Sequence, residues 1–420
     1  MEEINKNAAF PVAYACCNRS REERVRSSSG GIFYLLGSQV LEQSGVVFGA
    51  KWNDEWELVH GEAHNREELE AFLGSKYVQS DLKDTFLRVR DYLEEGRTVL
   101  FSGTPCQTAG LKCFLAKEEK REQLLARLIT ADLICHGVPS PAVWRRYLRE
   151  IRKNRTVTGI NFRDKTRGWR DFSLKIDYLS HTPYCKKRYS DMYLRGFLKN
   201  IDLRPSCHSC SFKADRHMAD ITLGDFWGVE QYCPELSDDT GVSAVLVWSE
   251  KGMDLIGRCS GQMVKKTVSA EIIGQTNSAY VRSVAPHPER NQFFKELPEA
   301  DQVKKLLRKR TKGTLWQRII GRLLRHPESP KEQTESRIPG SPWKPDPDLT
   351  EASRTGGSMQ KKNGVPVLYK TAEECCGCTA CQASCPKQAI EMKEDREGFL
   401  YPWIDDDKCV GCCRCVSICP

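Results

Sequence analysis

The sequence predicts an α/β fold with a mixed sheet, followed by a small cysteine-rich domain at the C-terminal end. Three observations lead to this prediction. Up to about residue 260, short strand-like runs alternate with longer helical runs. Residues 327–363 combine six prolines with polar residues, a composition that cannot bury enough apolar surface to fold. Ten of the 20 cysteines then lie between Cys375 and Cys419.

The elements of the α/β part follow from the alternation of apolar and polar residues. Strands are expected at 45–52, 97–103, 126–135, 159–165 and 243–249. Helices are expected at 31–43, 84–96 and 141–154. The chain is divided into two parts of the α/β domain at 1–95 and 96–300, a basic amphipathic helix at 301–326, a flexible linker at 327–363 and the cysteine-rich domain at 364–420.

The net charge of +8 is concentrated in one stretch. Residues 304–325 hold nine Lys or Arg and no acidic residue, so the charge of the whole chain gives no indication of nucleic-acid binding. The stretch also carries an apolar stripe at helical spacing. Such a helix suits a peripheral contact with an anionic membrane, or an acidic partner. The alternative is a helix docked on its own domain, with its basic face in solvent. The stripe is formed by Leu315, Trp316, Ile319, Ile320, Leu323 and Leu324.

Nothing in the sequence predicts export or a membrane span. The N-terminus lacks the basic-then-apolar order of a signal peptide, and no run reaches 18 apolar residues. We therefore expect a cytoplasmic protein. In a long chain of that kind, cysteines are expected to be metal ligands or redox groups rather than disulfides.

The C-terminal cysteines form two C-x₂-C-x₂-C-x₃-C-P runs, the spacing of bacterial ferredoxins with two 4Fe-4S clusters. Because the fourth cysteine of each run binds the other cluster, the spacing predicts two ligand sets. Zinc ribbons use two C-x₂-C pairs per metal, so two runs of four favour clusters. Cys376 and Cys413 occupy spacer positions and are not expected to be ligands. The first set is Cys375, Cys378, Cys381 and Cys419, and the second is Cys385, Cys409, Cys412 and Cys415.

Four further cysteines could hold a third 4Fe-4S cluster. Cys106 and Cys135 each follow an expected strand and precede a helix, so both are expected at one edge of the sheet. At its helix start, Cys106 is expected to have a lowered pKa. Cys207 and Cys210 form a C-x₂-C pair. The alternatives are a zinc site with His208 or His217, and buried structural cysteines.

Two small loops have the composition of a phosphate or flavin contact. "RSSSGG" places Ser27, Ser28, Ser29, Gly30 and Gly31 at the head of an apolar helix, where hydroxyls and free N–H groups suit a phosphate. The simpler alternative is a helix N-cap. "GSKYVQS" offers Gly74, Ser75, Lys76 and Tyr77, although lysine and tyrosine in a loop are usually only solvated.

Taken together and in order, seven segments resemble the coenzyme F420 hydrogenase/dehydrogenase beta-subunit family. The resemblance covers residues 10 to about 260. The segments are "SSSGGIF", "GSKYVQS", "VLFSGTPCQTAGLK", "DLICHGVPSP", "FRDKTRGW", "LRPSCHSCSFK" and "DITLGDFWG".

The resemblance implies an FAD-binding α/β protein that passes electrons among a flavin, iron–sulfur clusters and a reducible partner. It also implies that the Ser–Gly turn and the Gly74–Tyr77 loop are FAD contacts, together with Gly103, Thr104 and Pro105. Lys76, Lys165 and Lys213 are candidates for stabilising an anionic reduced flavin or an acidic coenzyme.

The domain order departs from the family pattern, in which the ferredoxin segment usually comes first. One explanation is a circular permutation whose linker lets the ferredoxin segment dock on the flavin domain. The other is a second, similar protein that begins near Met359 and is fused and cut short after its clusters.

The sequence therefore predicts an iron–sulfur flavoprotein oxidoreductase. It would move electrons between a reduced coenzyme, of the deazaflavin type or another, FAD and 4Fe-4S clusters, and pass them to a partner protein. Two alternatives remain: a non-enzymatic iron–sulfur electron carrier without a flavin, and a redox accessory to surface polysaccharide biosynthesis.

Overall fold

A computed structural model describes residues 10–312, 361, 362 and 364–420. Its strands and α-helices have the following bounds. The strands are β1 (Val12–Asn18), β2 (Val46–Trp52), β3 (Leu58–Ala63), β4 (Val99–Ser102), β5 (Leu128–Leu133), β6 (Val157–Asp164), β7 (Ser173–Tyr178), β8 (His181–Lys187), β9 (Ile221–Asp225), β10 (Ser243–Val247), β11 (Met263–Val268), β12 (Lys361–Lys362), β13 (Val365–Pro366), β14 (Ile390–Glu394) and β15 (Leu400–Ile404). The helices are α1 (Arg21–Arg26), α2 (Ile32–Glu42), α3 (Arg66–Glu70), α4 (Thr85–Glu94), α5 (Pro105–Leu115), α6 (Arg121–Arg127), α7 (Pro141–Arg152), α8 (Met192–Leu198), α9 (Val229–Tyr232), α10 (Glu250–Arg258), α11 (Ala270–Thr276), α12 (Ser278–Val281), α13 (Arg290–Glu296), α14 (Val303–Arg310) and α15 (Ala380–Ala383).

The main sheet has eight strands in the order β11-β1-β10-β9-β5-β4-β2-β3. Its centre is parallel, because β2 pairs with β4, β4 with β5 and β5 with β9 in that sense. The flanking pairs are antiparallel. On one side β2 pairs with β3, and on the other β9 pairs with β10, β10 with β1 and β1 with β11. The predicted fold class, a mixed α/β domain plus a small ferredoxin domain, is confirmed.

A second sheet of three antiparallel strands, β6-β7-β8, stands apart from the first. Helix α7 packs into the same core through Val143, Trp144 and Tyr147. The helix begins where the Ser140 side chain accepts a hydrogen bond from the N–H of Val143, and Pro141 occupies its first turn. This core fixes the orientation of the small sheet against the main one.

The cysteine-rich domain packs directly on the α/β domain. Phe399 and Tyr401 belong to the same core as α7. Cys378 and Ile418 belong to a second core, which includes residues of α4 and α5. A nearly buried ion pair of 2.5 Å joins Arg290 to Glu397 across the boundary. Both apolar cores and ion pairs therefore join the cysteine-rich domain to the α/β domain.

Three predicted elements differ from the structure. The strand expected at 126–135 begins only at Leu128, because its first residues close α6. The strand expected at 159–165 forms as part of β6, but in the small sheet rather than the main one. Of the basic helix expected at 301–326, α14 covers Val303–Arg310, and residues 313–326 lie outside the described part.

The apolar stripe from Leu315 to Leu324 therefore lies outside the described residues, as does the expected linker except for 361 and 362. Helix α14 itself buries Val303, Leu306 and Leu307 in the core shared with α7. None of the helices in the described part of the chain combines the length and apolar character needed to span a bilayer.

Candidate functional site

The carboxyl ends of β4 and β5 place two cysteines at one edge of the main sheet. These strands are adjacent and parallel, so the loops after Ser102 and Leu133 leave the sheet on the same side. Cys106 lies in the first turn of α5, and Cys135 lies two residues after β5. Helix α5 starts at Pro105, and the side chain of Gln107 accepts a 2.9 Å hydrogen bond from the N–H of Thr104.

The C-x₂-C pair joins the same place and completes a group of four thiols. Burial raises the pKa of Cys207, and the neighbouring thiols of Cys135, Cys106 and Cys210 add to the rise. Burial also raises the pKa of Cys135 to about 12, Lys213 opposes the rise, and Cys106 and Cys210 add to it. The N–H of Val138, three residues after Cys135, reaches the Cys207 sulfur, which places the C-x₂-C pair beside the loop that carries Cys135.

Two of these sulfurs accept hydrogen bonds from backbone N–H groups. Val138 donates to the Cys207 sulfur at 3.4 Å, and Phe212 donates to the Cys210 sulfur at 3.4 Å. Bonds of this kind tune the potential of a cluster when one is bound. The Lys213 ammonium lies next to this group, where it donates to the backbone oxygens of Cys135 at 2.5 Å and Ala279 at 2.8 Å.

The expectation of a low pKa at Cys106 is wrong for the free thiol. Contact with the Cys376 thiol, followed by burial, raises the pKa of Cys106 well above its usual value. The start of α5 does not outweigh these two effects. Cys376 was expected to be a bystander, but its side chain contacts the thiols of both Cys106 and Cys378. It therefore lies between two groups of candidate ligands.

The histidines of the zinc alternative are bound elsewhere. His217 pairs with Asp132 at 2.7 Å and stacks on Trp248 and Tyr280 in the interior. His208 bonds through Nδ1 to the backbone oxygen of Val284 at 2.9 Å. Across residues 10–312 and 364–420, no group of three or more His, Cys, Asp or Glu side chains has the closed geometry of a metal-ion site, so the candidate thiol groups rest on the cysteine spacing and on the neighbours that their residues share.

The first predicted ferredoxin set gathers against the α/β domain. Burial raises the pKa of Cys381 to about 12, and the neighbouring thiols of Cys375, Cys419 and Cys415 add to it. Burial and the contact with Cys375 likewise raise the pKa of Cys419 to about 11. Cys378 is buried against α5, where a Cβ added to Gly110 would lie 2.9 Å from its sulfur.

The second set lies around a separate cavity. Cys385, Cys409, Cys412 and Cys415 line one small cavity. Burial raises the pKa of Cys415 to about 11, and Cys385 and Cys412 are among its neighbours. The side chain of Val410 beside this cavity is 62% exposed. We call this the outer set, and we call the first set, which packs against α5 through Cys378, the inner set.

The two runs fold alike around their cavities. Gly377 and Gly411, at matching positions, have φ of 69° and 66°. Thr379 and Cys413, also at matching positions, have φ of 62° and 60°. Left-handed residues at these points turn the chain so that successive cysteines point inward. The positive φ of Gly377 and Gly411 explains why both runs carry a glycine before their second cysteine.

The predicted Ser–Gly turn does not cap α2 with a side chain. Gly31 is the N-cap residue, with φ of 78°, and no side-chain hydrogen bond closes the helix start. Ser29 instead donates to the backbone oxygen of Val242 at 2.8 Å. A Cβ on Gly30 would lie 2.4 Å from the backbone oxygen of Cys16. The hydroxyl of Ser27 is buried without a partner among the described residues.

The Gly74–Tyr77 loop lies against this turn. The N–H of Ser75 donates to the Ser28 hydroxyl, and the Tyr77 ring stacks on Phe197 at 4.5 Å. The loop also lies near the Gly103–Pro105 turn, because Gln107 donates to the Ser80 hydroxyl at 2.9 Å. The structure therefore brings the three predicted flavin-contact segments together.

Lys76, which is half-buried, and His60, which is buried, lie behind this loop. The Lys76 ammonium donates to the backbone oxygens of Leu73 at 3.0 Å and Gly74 at 3.1 Å. Burial lowers the pKa of Lys76 to about 7. Burial also lowers the pKa of His60 to about 4. The ring bonds through Nε2 to the oxygen of Ser102 at 3.0 Å, while Nδ1 is buried without a partner among the described residues.

Lys165 holds the Ser–Gly turn in place. Its ammonium donates to the backbone oxygens of Arg24 at 2.6 Å, Ser29 at 2.9 Å and Thr240 at 2.6 Å. A lysine has three donors, so these bonds use its full capacity. Burial, followed by the nearby Arg163, lowers the pKa of Lys165 to about 7.

Sequence patterns alone did not identify Arg163, which joins the two flavin-contact loops. Its buried guanidinium donates to the Tyr77 hydroxyl at 3.3 Å and the backbone oxygen of Ser28 at 3.3 Å. It also pairs with Asp225 at 2.8 Å. Arg163 lies within the segment "FRDKTRGW", one of the seven that carry the family resemblance, and this resemblance was the only sequence signal that could have pointed to it.

Comparison with known families defines the class of the protein. Residues 374–420 match the 4Fe-4S dicluster domain, which makes this an iron–sulfur electron-transfer protein. Residues 96–271 match the family model for the C-terminal part of the beta subunit of coenzyme F420 hydrogenase/dehydrogenase. Over residues 96–271 the chain is therefore similar to the coenzyme F420 hydrogenase/dehydrogenase beta-subunit family, and it carries the dicluster domain at residues 374–420.

Two individual proteins are also similar. Pyruvate synthase subunit PorD of Thermotoga maritima is 32% identical over 83 residues, which are 19% of this chain and 78% of that protein. A chain of the F420-reducing NiFe hydrogenase complex from Methanosarcina barkeri is 15% identical, with a TM-score of 0.46 over 70% of this chain and 94% of that one. The matched family model and PorD both represent oxidoreductase subunits, and these two matches support a general oxidoreductase role for this chain.

Proposed function

We propose that the chain is an iron–sulfur flavoprotein oxidoreductase that moves electrons from a reduced coenzyme through FAD and three 4Fe-4S clusters to a partner protein. The observation that carries the proposal is the packing of the inner ligand set on this part of the α/β domain. Cys378 lies against Gly110 of the helix that presents Cys106, and Arg204, in the segment that presents Cys207, donates to the backbone oxygen of Cys375 at 2.9 Å. This packing links the four-thiol group of the α/β domain to the inner ligand set of the dicluster domain, so that one continuous route joins the two.

The residues present fit a flavin nucleotide. The start of α2 has no side-chain cap, which leaves its N–H groups available to a phosphate. Gly74 has φ of 79°, and a Cβ there would meet nothing within 4 Å, so the backbone is open to a ligand. The partnerless polar atoms of Ser27 and His60 provide two further hydrogen-bonding groups.

In this proposal the chain's own residues bind and position, and the redox chemistry belongs to the cofactors. When bound, FAD would exchange two electrons with a hydride donor and one at a time with a cluster. The Ser–Gly turn and the Gly103–Pro105 turn would hold it. Lys76, whose pKa of about 7 permits proton transfer near neutrality, would contact the flavin or the coenzyme.

The other two lysines have a positioning role in this proposal. Lys165 fixes the Ser–Gly turn through three backbone oxygens. Lys213 fixes the Cys135 loop and places a positive charge beside the four thiols, where it would favour their ionised form. Neither residue needs to touch the reacting atoms.

The partner protein would receive electrons at the outer ligand set. Cys376 and Val410 occupy matching positions in the two cysteine runs. The first contacts Cys106 inside the molecule, and the second is 62% exposed. This difference supports an order in which the inner cluster accepts electrons from the α/β domain and the outer cluster delivers them.

A cysteine substitution tests the third cluster. We expect Cys207→Ala to lower the iron content of anaerobically purified protein by about four atoms per chain, because a cubane needs all its thiolates. Cys233→Ala is the matched control, since Cys233 is buried in another core and belongs to none of the three groups. Unchanged iron in Cys207→Ala would contradict the third cluster.

A further inference from the structure

Arg204 lies between the α/β domain and the inner ligand set. Its side chain is fully buried. Its N–H donates to the backbone oxygen of Val138 at 3.0 Å, and its own backbone oxygen accepts from the N–H of Cys207 at 3.0 Å. The residue is thus anchored in the segment that presents Cys207, while its side chain points to the dicluster domain.

The guanidinium reaches three different parts of the chain. Nε donates to the backbone oxygen of Cys375 at 2.9 Å, and one terminal nitrogen donates to the side-chain oxygen of Gln79 at 3.0 Å. The other terminal nitrogen donates to the backbone oxygen of Leu400 at 3.0 Å. The planar group also lies 4.2 Å from the ring centre of Tyr401. These contacts fix its position tightly.

The same guanidinium lies beside a predicted cluster ligand. The terminal nitrogen that donates to Leu400 also lies 3.8 Å from the sulfur of Cys375, within reach of an N–H···S hydrogen bond. A Cβ added to Gly377 would lie 2.8 Å from the guanidinium, so the glycine permits this close approach. The guanidinium therefore contacts both the backbone and the sulfur of one ligand.

The charge of Arg204 has no carboxylate partner among the described residues. Every other strongly buried arginine named at this boundary or in the flavin loops is paired: Arg163 with Asp225, and Arg290 with Glu397. A buried charge is costly unless it is compensated. At Arg204 the nearest group that could supply a counter-charge is the Cys375 sulfur, which would be a thiolate when it binds a cluster.

We propose that Arg204 is a positioning residue of the inner cluster, which holds Cys375 in place and raises the reduction potential of that cluster by its charge and N–H···S contact. Hydrogen bonds to sulfur and net local charge are recognised determinants of cluster potential. The proposal requires the dicluster domain, but neither FAD nor the third cluster. It makes the inner cluster a better acceptor for electrons that leave the α/β domain.

The test is a redox titration of the anaerobically purified full chain, followed by electron paramagnetic resonance. In Arg204→Met we expect one midpoint potential to become more negative while the others stay unchanged. Arg204→Lys keeps the charge and should recover part of the shift. Arg145→Met is the control, because Arg145 pairs with Glu394 across the same boundary without touching a cysteine.

A second variant keeps the test decisive if Arg204→Met fails to hold iron. Gln79→Glu has nearly the same shape and adds a negative charge next to the guanidinium, so it should also make that one potential more negative. Full iron content with unchanged potentials in Arg204→Met would overturn the proposal. If Arg204→Met does not assemble its clusters, unchanged midpoint potentials in Gln79→Glu protein with full iron content would overturn the proposal.

Discussion

At the scale of single residues, the chemistry of the site depends on which side chains keep hydrogen-bond donors that the protein itself does not use. The sequence predicted three lysines next to a flavin or an acidic coenzyme, and the structure places all three on backbone oxygens. Lys165 uses its full donor capacity in this way, whereas Lys76 makes two such bonds. Lys213 also makes two such bonds, but it lies beside the four thiols, so Lys76 in the flavin-contact loop remains the best candidate for direct contact with a flavin or coenzyme.

The partial burial of Lys76 predicts a pH dependence of stability. Its pKa is about 7 in the folded protein, against about 10.4 for a free lysine. Between these values the unfolded chain holds a proton that the folded chain has released, so this residue favours the folded state increasingly as pH rises. Below about pH 7 both states are protonated and the dependence ends.

We therefore expect the free energy of unfolding of the wild type, minus that of Lys76→Met, to increase from pH 7 to pH 10. Denaturant unfolding of the iron-free chain under reducing conditions at the two pH values measures this difference. Lys117→Met, at an exposed position, should show no such change. A Lys76 difference that is equal at both pH values would rule out the depressed pKa.

At the scale of elements, two parallel neighbours account for most of the site. Because β4 and β5 are adjacent, the cysteines that follow them meet at one edge of the sheet, as the sequence predicted. Helix α5 then serves two purposes. Its first turn presents Cys106, and its buried side at Gly110 receives Cys378 of the inner ligand set.

The close fit at Gly110 predicts sensitivity to a single methyl group. A Cβ there would lie 2.9 Å from both the Cβ and the sulfur of Cys378. In Gly110→Ala we expect the inner set to be displaced at a cost of about 1–3 kcal/mol, although alanine is the better helix former. We expect both the iron content per chain and the midpoint temperature of thermal unfolding to fall in this variant.

Gly261→Ala is the matched control, because a Cβ at Gly261 would meet nothing within 4 Å. It should leave iron and the thermal midpoint nearly unchanged. If Gly110→Ala behaves in the same way, α5 does not form the close contact with the inner set that the structure describes.

At the scale of the whole molecule, the unusual domain order does not separate the dicluster domain from the α/β domain. The dicluster domain stands last in the chain, yet Phe399 and Cys378 lie in the cores of the α/β domain. This docking is the arrangement that the permutation explanation requires. It orders the candidate sites from the flavin loops to the four thiols, then to the inner and outer sets.

Short-range sequence patterns predicted the parts that depend on spacing and chain direction. The cysteine runs, the strand–turn–helix around Cys106 and the mixed α/β sheet belong to this class. The sequence did not predict that Arg163 joins two loops, that Cys376 contacts Cys106, or that Arg204 reaches Cys375. These contacts join residues far apart in the chain, and only tertiary packing brings them together.

The most decisive measurement is the content of iron, acid-labile sulfide and flavin per chain in anaerobically purified protein. We expect about 12 iron atoms, a matching amount of sulfide and about one FAD, for three cubanes and a flavin. About 8 iron atoms without flavin would contradict the proposed function, because only the dicluster domain would then be loaded and the chain would be an electron carrier rather than a flavoenzyme.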